Sequence, residues 1–281
     1  MDQRELCGQT AWVTGSSRGI GRAIAEALAA AGAQVALHGA HRDYARLTGE
    51  GGTIDETAGD MATRTGSEVF PVVGDLTCET EVRRLAGDIR ARWGRIDLLV
   101  CCAGGGESAS GIADGRGGHV DRNDCLNVDL TDFRTILDRN LLTAVLCCRE
   151  VAPEMIGRRA GRIVTIGSIA GCLGWPGGGG AAYSTAKAAL HEYTRCLAEQ
   201  LRPHNIPVNC VVPGHINTAK TKAAYGGDRC KSAAEAGHSR LQHVGLPEDI
   251  ATLVRFLCGP GGDYISGQLL RVDGGCQTFP C

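Results

Sequence analysis

The chain has 281 residues, and 29 Lys and Arg against 31 Asp and Glu leave a formal charge of -2, so no one-signed field points to nucleic acid or to an acidic surface partner. This length is enough for one α/β domain with a full core, and no repeat, linker or domain boundary is visible. With neither a positively charged leader nor a long apolar run, the expected setting is cytoplasmic, and no membrane partner is expected.

In chain order, TAWVT (10–14) reads as a strand, IGRAIAEALAAAG (20–32) as an amphipathic helix stopped by Gly32, and QVALH (34–38) as a second strand. A polar, partly helical segment follows over about 53–65. EVFPVVGD then supplies a third strand despite Pro71, and CETEVRRLAGDIRARWG a helix with Leu85 and Ile89 on one face. IDLLVCCAG (96–104) is an unbroken apolar run, as expected of a parallel strand covered on both faces. The stretch from Gly104 to Asp129 is long for a connection, so it is either a functional rim or partly disordered.

Residues 131–156 are predicted as one long helix, followed by the strand RIVTIGS (162–168), the helix YSTAKAALHEYTRCLAEQL (183–201) and the strand PVNCVVP (207–213). GLPEDIATLVRFLCG gives a late helix with proline near its start, and QLLRVDGG the seventh strand. The alternation predicts α/β class: a single Rossmann-type doubly wound domain over 1–281, with a seven-stranded parallel sheet flanked by helices. The 14 cysteines include Cys101, Cys102, Cys147, Cys148, Cys210 and Cys258 in apolar runs, where they read as small buried hydrophobes. No pair of Cys-x2-Cys units occurs, so no metal centre is expected. Cys276 and Cys281 are candidate reactive thiols.

The first strand meets the first helix through TGSSRGIG, Thr14 to Gly21. Gly15 permits a tight exit from the strand, while Gly19 and Gly21 remove side chains where a pyrophosphate would approach, so this turn, with Ser17, Arg18 and Ile20, is the expected dinucleotide site. Backbone N–H groups at the helix start would face the anion. After the second strand comes LHGAHRDY, with His41 and Arg42 but no acid before Asp43. Together with Arg18 these favour NADP(H), although NAD(H) stays possible, with Arg42 solvated and Asp43 reading the ribose. Asp75 could accept a hydrogen bond from the adenine amino group or cap the next helix.

These features together resemble the short-chain dehydrogenase/reductase family over about residues 8–275, within it the 3-oxoacyl-carrier-protein reductase-like branch. The resemblance rests on TGSSRGIG (14–21), DLT (75–77), CAG (102–104), Asn140, Ser168, YSTAK (183–187) and PGHINT (213–218). The chemistry also follows from the residues. A tyrosine is a poor proton donor or acceptor near its ordinary pKa of about 10, and a lysine four positions on lies on the same helical face, where its charge favours the phenolate. Tyr183 is therefore the expected acid/base, Lys187 its electrostatic partner, and Ser168 the group that orients the substrate oxygen.

The resemblance further implies that Lys187 holds the nicotinamide ribose and that Asn140 holds a proton-relay water through its backbone carbonyl. It implies cofactor contacts at Asp75, Leu76, Cys102, Ala103, Gly104, Pro213, Gly214, Ile216 and Thr218, a substrate lid at about 217–245, and a homo-oligomer, a tetramer, formed through the long helices and the last strand. The chain departs from the family's Asn-Asn-Ala-Gly at Cys101-Cys102-Ala103-Gly104, which puts local rigidity in question because a thiol is a weak donor. The loop at about 104–130 is longer than in relatives and is expected to extend the cleft rim or reach a neighbouring subunit.

The expected activity is NADP(H)-dependent reduction of a ketone or 3-oxo group to a secondary alcohol, or the reverse, on a small-molecule carbonyl or alcohol. An NAD-dependent sugar or polyol dehydrogenase and a catalytically silent dinucleotide sensor or scaffold are the alternatives. Ser168 and Tyr183 are joined by GCLGWPGGGG and its flanks, two residues longer than the family spacing. Gly177 to Gly180 are expected to bulge away from the cofactor and to become more ordered when substrate binds, with Trp175 and Pro176 lining the substrate side.

Overall fold

The computed structural model describes residues 4–47, 49, 51–105, 124–219, 221 and 244–275. Its strands are β1 (Thr10–Val13), β2 (Gln34–Gly39), β3 (Val69–Val73), β4 (Leu98–Cys101), β5 (Arg162–Ile166), β6 (Val208–Pro213) and β7 (Leu269–Val272). The helices are α1 (Gly19–Ala30), the short α2 (Tyr44–Leu47), α3 (Ile54–Thr65), α4 (Glu79–Trp93), α5 (Leu130–Leu137), α6 (Thr143–Arg158), α7 (Ala181–Leu201) and α8 (Pro247–Cys258). The sheet runs β3-β2-β1-β4-β5-β6-β7, and every pairing in it is parallel. The chain order reverses between β1 and β4, which opens a crevice at the carboxyl ends of those two strands, where ligands of such sheets bind.

Strand alternation explains why apolar runs are continuous. Ala11, Val13, Val35, Leu37, Leu98 and Val100 pack on one face with Ile24, Leu28, Met61, Ile250 and Val254. Their neighbours Trp12, Ala36, Leu99 and Cys101 pack on the other with Leu85, Ile89, Val151, Met155 and Leu197. A side-chain period of two, with helices over both faces, makes every position of such a strand a core position. Pro71 is tolerated because β3 is an edge strand, where a missing N–H costs no ladder bond on the open side. A capping box between Thr53 and Glu56 starts α3, and Gly66 in the left-handed conformation ends it.

Two boundaries differ from the sequence expectation. The fourth strand stops at Cys101, and the long helix over 131–156 is α5 and α6 joined by a π turn at Asp138–Leu142. Asn140, 1 % exposed, sits in that turn, and its side-chain amide donates to the Ile136 carbonyl at 2.8 Å. A regular helix gives that carbonyl to the Asn140 backbone N–H, so the side chain competes directly with the helical ladder.

Cys101, Cys147, Cys148, Cys210 and Cys258 are buried, as read from their apolar runs, whereas Cys102, one residue past the end of β4, is only partly buried. Cys276, Cys281 and most of the loop at 104–130 and of the lid at 217–245 lie outside the described residues. Among the described residues no helix is long and apolar enough to cross a membrane.

Candidate active site

The glycine turn is pressed against the end of β4. A Cβ on Gly15 would lie 2.7 Å from the Ala103 Cα, and one on Gly21 would fall on the Gly15 carbonyl, so neither position has room for a side chain. Thr14 locks the two segments together: its Oγ1 accepts from the backbone N–H of Cys102 (2.9 Å) and of Ala103 (3.0 Å) and donates to the Val100 carbonyl (3.3 Å). The rigidity placed in doubt by Cys101 and Cys102 is thus supplied by a hydroxyl from the neighbouring strand. The α1 N-cap is Arg18, with extended backbone and no side-chain cap bond, and no acid stands in the first turn. An α-helix start left without a side-chain cap suits an anion, because its N–H groups and dipole both favour negative charge.

Around the expected adenine end, β2 closes on Gly39 rather than on an acid. Arg42 donates from its Nη1 to both carboxylate oxygens of Asp55, at 2.6 Å to Oδ1 and 2.5 Å to Oδ2, and both side chains are exposed. Asp75 builds its own turn: its Oδ1 accepts from the Thr77 N–H (2.9 Å) and hydroxyl (2.8 Å). It is not the cap of α4, whose N-cap is Cys78. Leu76 is 3 % exposed and packs in the core, so any part it takes at the surface of the crevice is through its backbone. Ser17 is likewise buried, and its N–H donates to the His38 carbonyl at 3.2 Å.

The residues expected to react come from three elements. β5 delivers Ser168 just past its end, in extended backbone at the start of a 3-10 turn. The Ala170 N–H donates to Ser168 Oγ at 3.1 Å, which leaves the hydroxyl hydrogen able to donate to a ligand. α7 delivers Tyr183 and, one turn on, Lys187, whose Nζ lies 5.7 Å from the tyrosine ring centroid and donates to the Ile166 carbonyl at 2.8 Å. Lys187 is 4 % exposed, and burial lowers its pKa. Its neighbour Cys102 is a neutral thiol, burial pushing its pKa up to about 11, so the ammonium charge is directed at the phenol without a thiolate beside it. Asn140 holds the segment after β4: its Oδ1 accepts from the Gly105 N–H (3.0 Å) and its Nδ2 donates to the Gly105 carbonyl (2.7 Å).

On the far side, Gly214 follows Pro213 out of β6, tied by its N–H to the Val272 carbonyl. Ile216 is buried and bridges to Gly245, while Thr218 is fastened to Thr221, whose hydroxyl donates to the Ile216 carbonyl at 2.7 Å. Trp175 meets the His215 ring edge-on with centroids 6.0 Å apart, and Cys125 Sγ donates to the Gly178 carbonyl at 3.7 Å. Three residues escaped the sequence reading: Thr14 as a clamp, His38 in β2, and His191 in α7. His191, 3 % exposed, accepts from the Ser168 N–H through Nε2 at 3.4 Å. A polar side chain inside an apolar strand, as in VALHG, was the available signal for His38.

Comparison with known proteins agrees with this geometry. The family model described as enoyl-(acyl carrier protein) reductase matches residues 15–277. A cyclohexanol dehydrogenase of Rhodococcus sp. (strain TK6) is 36% identical over 286 aligned positions, covering 98% of each chain. A 3-oxoacyl-[acyl-carrier-protein] reductase of Synechocystis sp. is 33% identical, covering 98% of this chain and 99% of the relative. Among solved structures, a 7α-hydroxysteroid dehydrogenase complexed with NADH and 7-oxo glycochenodeoxycholic acid superposes with a TM-score of 0.79 at 30% identity, over 98% of this chain and 96% of that one. A short-chain type dehydrogenase/reductase from Mycobacterium marinum gives 0.79 at 29% identity, over 99% and 98%.

Proposed function

The chain belongs to the short-chain dehydrogenase/reductase family, an NAD(P)-dependent oxidoreductase acting on carbonyl and alcohol groups, and on that premise we propose that it interconverts a ketone or 3-oxo group with a secondary alcohol, using NADP(H) in preference to NAD(H). The observation that carries the reading is a buried Lys187 one turn beyond Tyr183, its Nζ 5.7 Å from the phenol ring centroid and bonded to the Ile166 carbonyl two residues before Ser168, beside a crevice whose rim includes the uncapped start of α1. The residues fit a dinucleotide. Gly15 and Gly21 leave the backbone bare, the α1 N-terminus suits the pyrophosphate, and Ala103, Gly104, Gly214 and Ile216 border the nicotinamide end. A nicotinamide supplies or takes up the hydride when bound.

The protein's own part is proton transfer and orientation. In the reductive direction the Tyr183 hydroxyl gives its proton to the substrate oxygen, and in the oxidative direction the phenolate takes it back. Lys187 favours the phenolate by its charge and stays in register because the Ile166 carbonyl holds its Nζ. Ser168 donates its hydroxyl hydrogen to the same substrate oxygen. With its amide committed to Gly105 and Ile136, Asn140 has its backbone carbonyl for the relay water. Tyr183→Phe is expected to lower kcat by about 10^3-fold while the dinucleotide binds as before, since general acid–base groups are worth about 10^2–10^4. Turnover within a few-fold of wild type would end the assignment.

The coenzyme preference is supported by Gly39 where an acid would read the ribose, and by Arg18, His41 and Arg42 nearby. Arg42 also pairs with Asp55, and Arg18, which stands in the glycine turn itself, is assigned the larger share. Arg18→Ala should weaken NADPH about tenfold with little effect on NADH, and Arg42→Ala should weaken it less. Equal NADPH and NADH affinities in wild type would leave the oxidative, NAD-dependent reading, which the NADH-bound steroid dehydrogenase among the similar structures favours. The half-buried edge strand β7 supports a homo-oligomer, a tetramer, which light scattering of the eluted protein tests.

A further inference from the structure

We propose that His38 is a positioning residue for the cofactor site, its neutral ring fastening the glycine turn to the loop that follows β3. The proposal rests on the dinucleotide reading above and names a residue outside the expected cofactor contacts. His38 lies in β2, 3 % exposed, with apolar residues before it and Gly39 after it. Its Nδ1 accepts from the Gly15 N–H at 3.0 Å, and its Nε2 lies 3.0 Å from the Gly74 carbonyl. The two bonds fix the tautomer. A nitrogen that accepts from a backbone N–H carries no hydrogen, so the ring hydrogen sits on Nε2 and is donated to Gly74.

The strand backbone at the same residue completes the tie. The Ser16 and Ser17 N–H groups donate to the His38 carbonyl at 2.8 and 3.2 Å, and the His38 N–H donates to Ser16 Oγ at 2.8 Å. Ser16 Oγ in turn donates to the Val13 carbonyl at 2.6 Å. Three successive donors of the turn, on Gly15, Ser16 and Ser17, are therefore spent on His38, and the donors that face an anion begin at the start of α1. Any residue at position 38 could keep the backbone bonds, but only a side chain with an acceptor at the Nδ1 position holds Gly15, and only the imidazole reaches Gly74 at the same time. Gly74 precedes Asp75, so the ring sets the separation between the pyrophosphate end and the adenine end of the crevice. Burial holds the ring neutral, its pKa lowered to about 4, which keeps Nδ1 an acceptor across the working range.

The test is a set of dinucleotide titrations on the full chain, followed by steady-state kinetics with a ketone that wild type reduces. His38→Phe should raise the dissociation constant of NADPH about tenfold and leave kcat at saturating cofactor within about twofold, the pattern of lost uniform binding. His38→Asn, which places an oxygen at the Nδ1 position and keeps the Gly15 bond but loses the one to Gly74, should fall between wild type and His38→Phe, about threefold weaker than wild type. A folded His38→Phe protein that binds NADPH as tightly as wild type, or a His38→Asn protein as weak as His38→Phe, overturns the proposal. Nitrogen-15 spectra of wild-type imidazoles read the tautomer without any variant: a hydrogen on Nε2 supports it, and one on Nδ1 overturns it. Wild-type protein that binds neither NADPH nor NADH would overturn the dinucleotide reading as well, whereas the other adverse outcomes touch His38 alone.

Discussion

The two glycine-rich segments of the crevice use glycine for opposite reasons. In the first, at 14–21, glycine is needed because other backbone is in the way: Ala103 lies against Gly15, and the Gly15 carbonyl against Gly21. In the second, at 171–180, Gly177 and Gly179 have room, whereas a Cβ on Gly178 would lie 3.3 Å from Cys125 Sγ. Among the described residues no heavy atom lies within 4 Å of a Cβ on Gly177, and the nearest to one on Gly179 is at 3.9 Å. What selects glycine at Gly177 is conformation, a φ of +70° that L side chains avoid. One segment is a fitted seat, cross-tied by Thr14 and His38. The other, which we read as a wall on the substrate side, is held among other contacts by Trp175 against His215 and by Cys125 on the Gly178 carbonyl. Substitutions in the first should therefore act on cofactor, and substitutions in the second on substrate.

The largest effect that would break this contrast is expected from Gly21→Ala. A methyl group there meets backbone that cannot give, and overpacking of this kind costs about 1–3 kcal/mol. Cofactor affinity should fall roughly ten- to hundredfold by the conversion of about 1.4 kcal/mol per decade; unchanged affinity in a calorimetric titration would show that the seat is looser than its contacts imply. A separate pH effect on stability is common to both segments, because His38 anchors the first and His191 supports Ser168 at the head of the second. Both are buried with pKa values lowered to about 4 from 6.5. Between those values the unfolded chain binds protons that the folded chain does not, so stability is fully present above about pH 6.5 and is lost as pH falls toward 4. Each histidine contributes about 1.4 kcal/mol per pH unit across the window, and the melting temperature should drop steadily from pH 6.5 to pH 5. A flat profile there would mean that neither ring is held neutral by the fold.

Smaller effects sharpen the second segment. Gly177→Ala forces a left-handed alanine and should cost about 1 kcal/mol of local order, shifting the substrate KM a few-fold while the NADPH dissociation constant stays put. Gly179, by contrast, has φ −63° and ψ 149°, which any residue adopts. Gly179→Ala should be neutral or should stabilise by about 0.4–1 kcal/mol through the unfolded chain, read as a small rise in melting temperature. If either change weakened NADPH as much as Gly21→Ala, the division between seat and wall would fail.

Much of the fold was legible because parallel strands buried on both faces leave unbroken apolar runs, and because Gly32 and Pro247 mark helix ends by local chemistry. The Tyr183–Lys187 pair was legible for a similar reason: a spacing of four puts two side chains on one helical face whatever the surroundings. The division of the long helix at Asn140 was not visible, since its π turn accompanies an amide bonded to Gly105 from a different element. Arg42 reads as a phosphate ligand in one dimension and is found holding Asp55 in three.

By itself the sequence determined the element order, the parallel sheet, the glycine turn and the reacting residue types, all of which depend on periodicity and on spacing within one element. Only the tertiary structure decided what holds that turn and those residues in place. Thr14 meets Cys102 and Ala103, His38 meets Gly15 and Gly74, His191 meets Ser168, and Lys187 meets Ile166. These are hydrogen bonds between groups distant along the chain, and they exist because strand register brings the carboxyl ends of β1, β2, β4 and β5 to one edge, where unpaired backbone donors and acceptors must find partners.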